Sequence, residues 1–279
     1  DMLYKTSIDE EKDWNKVQED PTLKVIRWTD NIVDAEAEMR EWLDPVIERH
    51  KSMRPERVLE IGCGTGMLLF PLAEQCSRYV GTDYSEIVLT NLRQRLAGTS
   101  IDSQRVELLH RPADEFDGFE GQLFDLVIIH SVVQYFPNMD YLKRVIDGVV
   151  RLVEPGGKIF IGDVQNFALL ETYHTESIFA RAAGALSIES LKQKVGKRIE
   201  LESELTIDPD FFLTLEDEMP RIGHVDIQLR RGRIENEPTK YHYDVTIHVG
   251  ERPAIHDGHE WLSWDGTGMN LDRLRDLLE

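Results

Sequence analysis

Val58-Leu59-Glu60-Ile61-Gly62-Cys63-Gly64-Thr65-Gly66 is the stretch whose reading decides the fold. Its first half, led by Arg57, is a short apolar run of the kind that forms a buried parallel strand. Glycines then stand at alternate positions, and Met67 to Ala73 resumes with helical spacing. Strand, glycine turn and helix make the front half of a nucleotide-binding βαβ unit. The turn needs glycine because it is tight and because a ligand must approach its backbone closely.

A glycine turn by itself is as readily structural as functional. Two details narrow it. The spacing is G-x-G-x-G, not the G-x-G-x-x-G of dinucleotide folds, and an acid, Glu60, stands at the end of the strand. A carboxylate beside a helix N-terminus repels phosphate and suits a cation. S-adenosylmethionine (SAM) carries a sulfonium and an ammonium and no phosphate, so the loop Gly62, Cys63, Gly64, Gly66 with Glu60 favours SAM over NAD or ATP. A second strand, Arg78 to Asp83, ends in another acid 23 residues beyond Glu60. A carboxylate there can accept hydrogen bonds from both ribose hydroxyls. Asp83 can instead cap the next helix, but Ser85 already fills that position. Tyr84 is placed to pack on the adenosine.

Five further apolar runs continue the alternation: Arg105 to Leu109, Phe124 to Ile129, Lys158 to Ile161, and the alternating pair Val225 to Leu229 and Tyr241 to Val249. Helical patterns lie between them: Asp34 to His50, Ser85 to Ala97 with Val88, Leu89, Leu92 and Leu96 inward, and Tyr141 to Val153. Asp44-Pro45 is expected to interrupt the first of these and restart it with Asp at the N-cap and Pro at N1. The chain is expected to leave its fifth strand at Gly162-Asp163. Phe167 to Glu202 reads as helices broken near Gly184, and Arg230 to Lys240 reads as a basic, polar hairpin. Leu271, Leu274, Leu277 and Leu278 form a terminal apolar stripe, with Trp261 and Trp264 before it. The stripe either folds back or meets a neighbouring domain.

The 279 residues carry a net charge of −20, which argues against nucleic acid or an anionic membrane as the main partner. There is no apolar run of about 18 residues and no signal-peptide pattern at the polar start. With only Cys63 and Cys76, no zinc site or disulfide framework is expected, and the compartment is expected to be cytoplasmic.

The glycine loop, Glu60 and Asp83 together resemble the class I SAM-dependent methyltransferases. That resemblance implies an α/β fold, a Rossmann-like, seven-stranded, mostly parallel sheet with helices on both faces. It implies a helical N-terminal lid over residues 1–50, a core over 51–250 with a substrate-binding helical insertion at 167–222, and a tail at 251–279. Trp28 would then touch the sulfonium through its ring face or simply anchor the segment. Asp114 would meet the adenine amino group while the Ala113 backbone meets a ring nitrogen; a turn aspartate is the plainer alternative.

A closer similarity rests on Ser131-Val132-Val133-Gln134-Tyr135-Phe136-Pro137, on Pro155-Gly156-Gly157 through Asp163, and on Asn236-Glu237-Pro238-Thr239-Lys240-Tyr241-His242-Tyr243-Asp244-Val245. With the glycine loop, these stretches resemble the methyltransferase domains embedded within adenylation domains of nonribosomal peptide synthetases. Two departures stand out: His130 where Asn is frequent, and Pro238 where Leu or a similar residue is usual. The resemblance implies an aminoacyl thioester on a carrier protein as acceptor and an adenylation domain as neighbour. Most such domains methylate the α-nitrogen and some a side-chain oxygen. His130 as a general base would favour oxygen. Its other roles are a structural hydrogen bond at the turn or, with Ser131, a backbone contact to SAM. Gln134 and Tyr135 are candidates to orient the acceptor. Asp163 and Glu237 are candidates to hold an amine or take its proton, with Asn236 and Tyr241 behind them. Arg230, Arg231 and Arg233 are expected to receive the acidic carrier, or else to be a solvated hairpin. A SAM-binding fold kept as a spacer is the non-enzymatic alternative.

Overall fold

The computed structural model describes residues 32–182, 184–230, 232–250 and 270–278. In chain order the elements are α1 (Ile32–Met53), β1 (Arg57–Ile61), α2 (Leu69–Ala73), β2 (Arg78–Asp83), α3 (Glu86–Ala97), β3 (Val106–His110), β4 (Phe124–His130), α4 (Met139–Leu152), β5 (Val153–Gln165), α5 (Leu170–Ala180), α6 (Ile188–Glu200), α7 (Pro209–Glu218), β6 (Ile222–Leu229), α8 (Glu237–Tyr241), β7 (His242–Val249) and α9 (Leu271–Leu278).

The sheet runs β3-β2-β1-β4-β5-β7-β6. β1 to β5 pair in parallel, and β7 lies antiparallel to both β5 and β6. The strand order reverses between β1 and β4, and a ligand crevice opens outside the carboxyl ends at such a switch point. Successive residues of the central strands point to opposite faces. Leu59, Ile61, Val127, Ile129, Ile159 and Ile161 join one apolar cluster with α4 and α7. Val58, Leu126, Ile128 and Phe160 join the other, with α1, α2 and α3. Helices therefore cover both faces, as the sequence pattern predicts.

Three local expectations are corrected. α1 is a single helix running through Pro45. A proline inside a helix costs about 3 kcal/mol. Met39, Trp42, Leu43 and Val46 flank it and are all buried against the sheet; at about 1.5–3 kcal/mol each, their burial outweighs the break. Second, the chain does not leave β5 at Gly162-Asp163. The strand continues to Gln165 with a register shift between Ile161 and Val164, and Asp163 takes a φ of 65°. Such a bulge re-aims a side chain at the edge of a site. Third, the segment from Arg230 to Lys240 is not a plain hairpin. It ends in α8, whose capping box joins Asn236 and Thr239. Pro238 stands in the first turn of α8, where its missing N–H leaves no bond unmade.

Among the described residues no helix is long and apolar enough to cross a membrane, and no group of His, Cys, Asp and Glu is arranged to hold a metal ion.

Candidate active site

The carboxyl ends of β1, β2 and β4 form one half of the crevice. Gly62 turns the chain with a φ of 75°, and a Cβ there would meet Val132 at 2.4 Å. The amides of Gly62 and Cys63 both donate to the Thr82 carbonyl, tying the loop to β2. Asp83 is fixed from two sides: its Oδ2 accepts from the Gly64 amide at 3.0 Å and its Oδ1 from the Ser85 amide at 2.9 Å. Ser85 itself caps α3 by accepting from the Val88 amide. Asp83 is thus free of the capping task and aimed across the glycine loop with lone pairs to spare.

Glu60 lies beneath the loop. Tyr79 donates to its Oε2 at 2.6 Å, and burial, opposed by that bond and aided by Asp83, pushes its carboxyl up to about 8. A cation above it would favour the ionised form. Tyr84 is half-exposed at the same strand end, and its carbonyl bonds the His110 ring at 2.8 Å. Asp114 lies 3.5 Å from the Arg144 guanidinium and against the Tyr141 hydroxyl, with Ala113 beside it on the core. The Thr65 hydroxyl oxygen, within the glycine loop, is buried with no protein partner. A cradle that excludes Cβ atoms, an oriented carboxylate, a buried acid and an orphaned hydroxyl together fit SAM.

The ends of β4, β5 and β7 form the other half. Ser131 and Asp163 hold positive φ, at 55° and 65°, and non-glycine residues in that region cluster at functional sites. Gln134 donates to the Ser131 hydroxyl at 3.1 Å, while its own Oε1 is buried without a partner. Tyr135 is exposed beside it.

Asp163 is the hub of this half. Its Oδ1 lies 2.8 Å from His242 Nδ1 and 3.3 Å from Arg230 Nη1, and Arg230 also reaches Asp244 at 3.3 Å. Burial opposes the charge of Asp163, but His242 and Arg230 outweigh it and hold its carboxyl well below the usual range. His242 Nε2 lies 3.6 Å from Glu237, too long for a hydrogen bond. Burial disfavours the imidazolium, yet Asp163 and Glu237 prevail and push His242 up to about 9. Glu237 in turn accepts from the Tyr173 hydroxyl at 2.8 Å.

The segment between α6 and α7 lies across these strand ends. Leu205 donates to the Gln134 carbonyl at 2.8 Å and Ile207 to that of Gln165 at 2.9 Å. This brings Glu202 within 3.3 Å of His174. Partial burial, then the charges of Glu202 and Glu237, raise the carboxyl of Glu204, which stays open to solvent on one side.

His130 takes no hydrogen bond from protein at either ring nitrogen. Its ring lies between Trp42, at 4.7 Å between centroids, and Phe160, at 6.0 Å. It presses on Gly162, where a Cβ would meet Nδ1 at 2.3 Å. Burial first, then the Arg230 charge, lower His130 to about 3.

The family model described as a methyltransferase domain matches residues 59–159. The chain is 40% identical over 238 residues to the chondramide synthase of Chondromyces crocatus, covering 85% of this chain and 6% of that protein. It is 32% identical over 249 residues to a nonribosomal peptide synthetase of Emericella nidulans, covering 87% and 10%. It is a class I SAM-dependent methyltransferase domain, of the type embedded in nonribosomal peptide synthetases. The domain spans a tenth or less of these relatives. Its fold is also that of magnesium protoporphyrin IX methyltransferase from Synechocystis, which is described with bound S-adenosylhomocysteine: TM-score 0.53, 14% identity, covering 84% of this chain and 94% of that one.

In the methyltransferase domain, the predicted residues divide in two. Glu60, the glycines, Cys63, Asp83 and Tyr84 gather at one crevice, as their spacing predicts. Gln134, Tyr135, Asp163 and Glu237 gather at the other. Trp28 lies outside the described residues, as do Arg231, Trp261 and Trp264. Arg230 is a correction. Its side chain is 6% exposed and closes a buried ion network, with Nη2 also on the Trp42 carbonyl at 2.7 Å. It therefore presents no charge to a partner. Asn236 caps α8, and Tyr241 donates to Glu176. His242, Glu204, Glu202 and Tyr173 were missed. Only His242 left a signal, as part of the distinctive Tyr241-His242-Tyr243-Asp244 run.

Proposed function

We propose that the domain transfers a methyl group to the α-amino nitrogen of an aminoacyl thioester presented by a carrier protein. The observation that carries this reading is the charge state of the two imidazoles in the acceptor half. His130, lowered to about 3, is too weak a base to activate a hydroxyl at neutral pH. His242, raised to about 9, already holds its proton there. A hydroxyl acceptor thus lacks an imidazole base. An amine needs none, because an α-amino group titrates near 8.

SAM, held by Glu60, Asp83 and the glycine loop, would supply an electrophilic methyl carbon bonded to a sulfur leaving group. The domain supplies alignment and exclusion of water. Asp163 and Glu237 hold the His242 imidazolium in place, its Nδ1 on Asp163 and its Nε2 facing Glu237, so that its positive charge stands beside the acceptor. Gln134 offers its orphaned Oε1 to an amine N–H. The methylated nitrogen begins as a secondary ammonium and gives its proton to Glu204, which passes it to solvent from its open side. Similarity to peptide synthetases supports a carrier-bound acceptor and an adenylation domain as neighbour. The two free, buried cysteines Cys63 and Cys76 suit a cytoplasmic setting. Residues 51–250 act as the core, joined by α1, which packs against the sheet, with the insertion at 167–222 shaping the acceptor half; residues 1–31 of the expected lid and 251–269 of the expected tail lie outside the described residues.

The test is tandem mass spectrometry of carriers loaded with serine, threonine, tyrosine, valine or glycine after incubation with SAM. Methyl mass on the α-nitrogen is expected, and His130→Asn should retain turnover within about tenfold with an unchanged pH profile. Methyl mass only on side-chain oxygens overturns the proposal.

A further inference from the structure

The strong negative charge of the chain conceals a local reversal. Between residues 181 and 201, Arg181, Lys192, Lys194, Lys197 and Arg198 face only Glu189 and Glu200. The structure folds this stretch against α5 so that Arg181, Lys194, Lys197 and Arg198 rim a cavity of about 340 Å³ between α5 and α6. Ile178 and Leu201 contribute apolar wall to it. Leu201 is 68% exposed, and nearby Phe179 is 63% exposed. An apolar groove framed by cations, on a chain of net charge −20, is built to meet an anionic surface with an apolar centre.

Its position gives that surface a task. α5 carries Tyr173, bonded to Glu237, and Arg181 follows eight residues later. At 1.5 Å per residue, that separation is about 12 Å along the helix. The other wall ends at Leu201, one residue before Glu202 and three before Glu204. The cationic groove therefore lies about 12 Å along α5 from the acidic acceptor cluster.

We propose that the groove between α5 and α6 is where an acidic carrier protein docks, its phosphopantetheine phosphate held by the rim cations and its aminoacyl end extended to His242 and Glu204. This rests on the carrier-bound acceptor proposed above. It moves the docking role from Arg230, which is buried, to the helical insertion.

The test compares one acceptor in two forms, valyl carrier protein and the free valyl N-acetylcysteamine thioester. Arg181→Glu with Lys194→Glu, Lys197→Glu and Arg198→Glu should raise KM for the carrier about tenfold or more and leave the free thioester within about twofold. In the wild-type domain, raising the salt concentration should raise KM for the carrier only. The milder fourfold alanine variant should move in the same direction by less. Unchanged carrier kinetics in the glutamate variant, or an equal fall with both substrates, overturns the groove while leaving the proposed function standing. Failure of the wild-type domain to methylate either substrate on nitrogen overturns both.

Discussion

The two halves of the crevice are built in opposite ways. The cofactor half comes from two consecutive strand ends and their turns, Glu60 to Gly66 and Asp83 to Ser85, and its key bonds are made by backbone amides. The acceptor half draws on a bulge in β5, a histidine at the start of β7, a glutamate on α8, a tyrosine on α5 and the linker before α7. Two of its key contacts, Tyr173 to Glu237 and His242 to Asp163, join side chains 64 and 79 positions apart. Away from its glycines, a half made of local backbone tolerates side-chain change until the ligand arrives. A half made of buried, mutually compensating charges depends on each partner for the fold itself.

The largest expected effect follows from that difference. Arg230→Ala strips the compensation from Asp163 and Asp244 and should destabilise the domain by about 3–5 kcal/mol, read from denaturant unfolding. A loss under about 1 kcal/mol would show that the acceptor half is no more interdependent than the cofactor half.

Next comes a contrast in binding. Asp83→Ala should weaken SAM roughly 100-fold in calorimetry, through loss of charge-assisted hydrogen bonds to the ribose. His242→Gln should leave SAM affinity within about twofold and lower kcat instead. If His242→Gln weakens SAM as much as Asp83→Ala does, the division into halves fails.

The smallest expected effect is in pH. The folded pKa of His242 is raised to about 9. Its stabilising contribution is thus fully present below its unfolded value of about 6.5 and lost as pH rises through about 9. Asp163 is depressed, so its contribution is present above about 3.8 and lost as pH falls toward its folded value. From pH 6 to pH 10 the wild-type melting temperature should therefore fall several degrees more than that of His242→Gln. Parallel curves would mean that the imidazolium adds nothing to the network.

The same contrast explains what was legible. Ser85, Val88, Leu89, Leu92 and Leu96 were readable because capping and the helical period act over a few residues. Asp83 was readable because a βα turn places its last residue wherever the chain runs. Pro45 misled because a local breaker was judged without the burial of Met39, Trp42, Leu43 and Val46 around it. Asp163 was noticed as an acid near the site, but its ion pairs depend on a bulge that no spacing announces. Arg230 looked like surface charge among other cations, and only β7 beside β5 makes it a buried one.

By itself, then, the sequence determined the order of strands and helices, the glycine loop and the acids of the cofactor half, because turn chemistry and side-chain periodicity are set by near neighbours. Tertiary structure alone decided which acid meets which base, the protonation of His130 and His242, and where cations remain exposed. Those depend on burial and on charges brought together from distant parts of the chain.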